Sequence, residues 1–122
     1  MLSTAGTAIL ATKLPPPHSR AARLIDRGPT VALKRYVIER EIPNIGASSP
    51  ADLSGASATS NSALAQLAPR VQWEHSYVAD NKTFCVYLAE NEKAIRDHAE
   101  ISGFPATKIT EVRAMIDPTS AT

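Results

Sequence analysis

The chain has 122 residues, 43% of them apolar and 20% charged, with a formal net charge of +1. This is the make-up of one ordinary globular domain, and it gives no case for a nucleic-acid partner or an acidic substrate. A single cysteine excludes an internal disulfide and fits a reducing compartment, and no apolar run is long enough to span a membrane, so a cytoplasmic protein is expected.

Residues 1–33 differ from the remainder. They hold four basic residues (Lys13, Arg20, Arg23, Arg27) against one acid, Asp26. The segment is rich in Ala, Thr and Pro, and "LPPPHS" favours an extended backbone without its own hydrogen bonds. A flexible or disordered tail is expected, adding little to any core. A targeting peptide or a start codon assigned too far upstream would look alike, since the segment is basic, nearly acid-free and hydroxyl-containing.

The domain is expected over residues 34–122. "RYVIEREI" alternates and is rich in β-branched and aromatic residues, which predicts a strand. "PNIGA" follows as a loop. Ser49, Pro50 and Asp52 then form a helix start, with a cap, a first-turn proline and a first-turn acid. The helix is predicted from about Pro50 to Leu67, with Leu53, Ser57, Ser60, Leu64 and Leu67 on one face. That face is weak, so tertiary packing must hold the helix. Val71–Ala79 and Lys82–Ala89 read as two strands of a hairpin turning at Asp80-Asn81, residues that tolerate left-handed backbone angles. "ENEKAIRDHAEIS" reads as a helix with Asn91 as its cap and Gly103 as its stop. "KITEVRAMI" is the last strand and "DPTSAT" a tail. The order predicts an α+β, ferredoxin-like βαββαβ fold, a four-stranded antiparallel sheet with both helices on one face. An apolar outer sheet face is most simply covered by a second copy, so a homodimer is expected.

Alternation along the hairpin sorts its side chains into two sets. Val71, Trp73, His75, Tyr77, Phe84, Val86 and Leu88 form the more apolar set, expected under the helices. Glu74, Ser76, Val78, Cys85 and Tyr87 belong to the mixed set, expected at the dimer seam. The inner stripe of the second helix includes Ala94, Ile95, His98 and Ala99. His75 and His98 are thus expected to meet in the interior. With Glu39 and Glu41 on the first strand, Glu111 on the last, and Cys85, they are candidate ligands for a divalent transition metal. The plainer alternative is that each histidine is a packed, hydrogen-bonded core residue. No His-x-x-x-His, Cys-x-x-Cys, phosphate-binding glycine loop or Gly-x-Ser-x-Gly is present. Cys85 and the histidines fall on opposite faces, which argues against a nucleophile–base pair. Arg35 and Arg113 are read as partners of nearby acids.

Tyr36 to Pro43, the "W-x-H-S-Y-V" segment within Trp73 to Leu88, His98-Ala99, Gly103-Phe104-Pro105 and Glu111 through Pro118 form a distinctive set of segments. In these features residues 35–120 resemble a family of small bacterial nickel-binding, ferredoxin-like proteins of otherwise unknown function. The resemblance implies the ferredoxin-like fold, dimerisation, and nickel or another divalent metal as the bound ion. Residues 1–33 depart from it, since its members begin near the first strand. The expected function is non-catalytic metal binding by imidazole and carboxylate. The alternative is a cofactor-independent enzyme of the ferredoxin-like dimeric type, a monooxygenase or isomerase, using a pocket histidine near neutral pKa.

Overall fold

A computed structural model describes residues 32–121. The tail expected over residues 1–33 therefore lies almost wholly outside the described residues. The elements are β1 (Lys34–Glu41), a 3-10 turn (Ile45–Ala47), α1 (Pro50–Leu67), β2 (Val71–Val78), β3 (Lys82–Ala89), α2 (Glu92–Ser102), β4 (Lys108–Glu111) and a second 3-10 turn (Pro118–Ser120). The sheet runs β2-β3-β1-β4, antiparallel throughout. This is the predicted α+β ferredoxin-like βαββαβ arrangement.

Local chemistry sets the helix ends as the residue types require. The Asp52 amide donates to Ser49 Oγ at 3.1 Å, and the Ser49 amide to the Asp52 carboxylate at 3.2 Å. This reciprocal box starts a helix whose inward face is mostly short side chains, with Ser60, Ala63 and Leu67 buried. Asn91 Oδ1 accepts from the Ala94 amide at 2.9 Å, and Gly103, at φ 82°, ends α2 in the left-handed region. In α2 Ala94, Ile95 and His98 are buried. β4 is shorter than predicted. It pairs with β1 only from Lys108 to Glu111, and Met115 and Ile116 beyond it are exposed.

The direction of the hairpin is the main departure. Cys85, Tyr87 and Ala89 are buried beside Tyr36 and Ile38 of β1, under the helices. Phe84, Val86 and Leu88 occupy the opposite face and are half-buried. Period-two alternation decides which residues go together, not which way the set points. The register Ile38↔Cys85 and Tyr36↔Tyr87 ties the smaller, mixed set of β3 to the buried set of β1. The seam expected over Val78, Cys85 and Tyr87 is therefore corrected, since these residues share the face that carries the helices. A β-bulge adds a second correction. Trp73 pairs with Tyr87 and His75 with Val86, leaving Glu74 as an extra residue between them. Trp73 consequently faces the helices and His75 the outer side, although two positions separate them. Their expected common face does not form.

The 3-10 turn is drawn tightly onto the hairpin end. Its Gly46 amide donates to Asp80 O at 3.0 Å, and a Cβ at Gly46 would stand 2.7 Å from Ala79 O. Only glycine permits that approach, which places Ile45 at the edge of the interior described below.

Candidate functional site

The helix side of the sheet holds a chain of polar groups that is almost completely enclosed. Arg40 comes from β1, Tyr87 from β3, Ser60 from α1 and His98 from α2, and none exceeds 4% exposure. Arg40 Nη1 donates to Pro105 O at 2.8 Å and, weakly, to Phe104 O at 3.4 Å. Arg40 Nη2 stands 3.5 Å from His98 Nδ1, and His98 Nε2 is 3.1 Å from Ser60 Oγ. A guanidinium can only donate, so Nδ1 accepts and the proton sits on Nε2, which donates to Ser60. Ser60 Oγ in turn lies 3.3 Å from Tyr87 Oη. The Arg40 guanidinium also stands over the Tyr87 ring, 5.7 Å from its centre.

These surroundings hold the histidine neutral. Burial, followed by the Arg40 charge, pushes the His98 pKa down to about 4, with the Ser60 hydrogen bond opposing. Burial likewise raises the Tyr87 phenol. Both His98 ring nitrogens are engaged within the protein, as the packed-core alternative requires.

Beside this chain lies a cavity of about 400 Å³ between α1, the hairpin and the segment after α2. Its walls are mainly apolar and include Ile45, Leu53, Trp73, Val78 and Phe104, with Arg40, Ser60 and Tyr87 also reaching it. Neither His75 nor His98 lines it. The enzyme alternative depended on a pocket histidine, and this cavity supplies none.

The outer face carries a different set. Arg35 grips Glu74 through two bonds of 2.8 and 3.0 Å. His75 packs edge-on against Tyr77, with ring centres 5.1 Å apart. Lys82 bridges Glu39 and Glu41, each at 3.3 Å. Glu111 pairs with Arg113 at 3.3 Å and lies across from Tyr36, on the helix side. Cys85 is buried on that side as well, its sulfur 3.4 Å from Thr83 Oγ1. The six candidate ligands are thus divided: His75, Glu39 and Glu41 outside, His98, Cys85 and Glu111 on the helix side. Among the described residues no three His, Cys, Asp or Glu side chains converge on a common metal position. One protomer alone does not fit a closed metal site built from them.

Reading from the sequence missed Arg40, Ser60 and Tyr87 as a functional group. The signal was available in "Y-x-I-x-R" (Tyr36, Ile38, Arg40), which places a guanidinium in phase with two core residues.

A four-stranded antiparallel sheet with both helices on one face, and a polar chain and cavity between the layers, defines a small ferredoxin-like α+β protein. The same fold is found in the crystal structure of SCO4226 from Streptomyces coelicolor A3(2), with a TM-score of 0.56 and 19% identity. That match covers 67% of this chain and 99% of the other. Residues 36–112 match the family described as nickel responsive protein SCO4226-like, and the chain belongs to that family. This bears out the resemblance read from the sequence. No curated protein matches. No helix among the described residues is long and apolar enough to cross a membrane.

Proposed function

We propose that this protein binds a divalent transition metal, nickel by its family, on the outer face of the sheet at a seam between two copies of the chain. The observation that carries this reading is membership of a nickel-responsive family. The outer face supports it in two ways. It offers His75 as an imidazole outside the buried polar chain, with Glu39 and Glu41 on the same side. It also presents Val37, Phe84, Val86 and Leu88 as a half-buried apolar strip with no helix among the described residues above it.

A two-fold seam supplies every donor twice, so one imidazole and one carboxylate per protomer give four ligands. Each carboxylate would exchange its Lys82 contact for the ion. Protonated imidazole and carboxyl groups cannot ligate, so protons compete with the metal for the site. His98, Cys85 and Glu111 play structural parts in this reading.

The test is nickel titration calorimetry on untagged protein purified without a nickel column. The parent should bind, His75→Ala should lose most of the affinity, and His98→Gln should retain it in whatever fraction is folded. If the untagged parent takes up no nickel, or if His75→Ala binds like the parent, the reading fails.

A further inference from the structure

Arg40 presents an electrostatic anomaly on the opposite side of the sheet from the proposed metal seam. It is only 2% exposed, yet it takes part in no ion pair among the described residues. Taking a guanidinium out of water is costly unless an anion or a full set of acceptors replaces the hydration. Here the replacements are two main-chain carbonyls, a neutral imidazole and the face of Tyr87. None of these carries a negative charge. Of the sixteen residues around the adjoining cavity, Arg40 is the only one that is charged at neutral pH. An apolar chamber is thus lined by one buried cation with no counter-ion among the described residues.

We propose that this cavity binds a small organic monocarboxylate with an aromatic or alicyclic body, whose carboxylate neutralises Arg40. A volume of about 400 Å³ lies within the range of small-molecule pockets. Trp73 and Phe104 favour a ring, and Leu53 and Ile45 complete an apolar wall around it. A carboxylate matches the guanidinium's fork and restores the missing charge. A dianion does not fit as well, because its second charge would have no partner in an apolar chamber. The Ser60 and Tyr87 hydroxyls also reach the cavity, and since one of their two protons lies between them, they add one neutral donor.

Trp73 is the chain's only tryptophan and lines the cavity, so its emission reports occupancy directly. Benzoate, phenylacetate and cyclohexanecarboxylate are titrated against the full chain with EDTA present, which removes any contribution from the metal seam. Their carboxamides, matched in shape and uncharged, are titrated in parallel. At least one acid should saturate, with its amide about ten- to a hundredfold weaker, as expected for losing a charge-assisted bond. Arg40→Gln should erase the preference for the acid. Should that variant fail to fold, the acid–amide comparison on the parent still decides, together with Ala56→Phe, which fills the cavity from α1 and should abolish binding while its circular dichroism stays that of the parent. The proposal is overturned if none of the three acids gives a saturable change. Equal binding of acid and amide, or parent-like binding by a folded Ala56→Phe, overturns it equally.

Discussion

Arg40 and His98 meet in the interior with Nη2 3.5 Å from Nδ1, a cation against a neutral imidazole between the sheet and α2. The contact fixes the tautomer of the ring and, with burial, keeps it unprotonated at neutral pH.

Removing the ring should therefore be a stability change. His98→Ala leaves Ser60 and one arm of Arg40 without a partner and opens a hole between the helices and the sheet. The cost is expected at about 2–4 kcal/mol, the sum of a lost buried polar contact and an imperfectly collapsed cavity. Urea unfolding at neutral pH measures it. A loss under half a kilocalorie would show that the ring is not structurally required.

The same residue gives the domain a distinctive acid response. Its folded pKa of about 4 lies below the ~6.5 of an unfolded histidine, so between these values the unfolded chain binds the extra proton. Stability is then fully present above ~6.5 and falls as pH drops towards 4, by on the order of 3 kcal/mol in total. Carboxylates held below their ordinary pKa, such as Asp97 beside Lys93 and Arg70, lose their contribution only at lower pH. A urea midpoint series between pH 7 and 4.5 isolates the histidine. In His98→Gln that decline should largely vanish; an unchanged decline would assign the effect elsewhere.

Association should depend on the outer face. Val86 lies opposite His75 and beside Val37, at the centre of the half-buried apolar strip. Val86→Arg would place an unpaired cation in a two-fold seam, where nothing compensates it. Light scattering should give the parent twice the chain mass and the variant the single mass. A parent already at the single mass, or a variant still at the double mass, removes this face from consideration.

The cap of α1 should carry unusual weight, because the helix has little apolar surface of its own. Ser49→Ala breaks the reciprocal bonds with Asp52. A cost of about 1 kcal/mol is expected, seen as a fall of roughly 4–8 °C in Tm by calorimetry. No measurable fall would mean that packing alone fixes the start of the helix.

Most of the fold was legible because its signals are local. The Ser49-Pro50-Asp52 start, the Asn91 cap and the Gly103 stop each act through their own backbone neighbours, and they placed both helices. Alternation likewise placed β1 and the hairpin. The facing of the hairpin was not legible. Two alternating sets compete for the interior, and the larger apolar set lost because the register with β1 joins Cys85 and Tyr87 to Tyr36 and Ile38. The meeting of His75 and His98 failed for that reason, while the inward stripe of α2 was right about His98. Arg40 was overlooked because a charged residue in a strand is usually assigned to solvent. Here the loop carbonyls at Phe104 and Pro105, distant in sequence, make its burial tolerable.

The extra residue at Glu74 has a bearing on how related chains should be compared. It resets the phase of β2, so counting in twos from the strand's start and from its turn gives opposite answers for His75. A chain one residue shorter here could keep Trp73 against Tyr87 and His75 against Val86, losing only the grip on Arg35. In any such comparison the gap belongs at position 74. Placed later in the hairpin, it would match an outward imidazole with an inward serine.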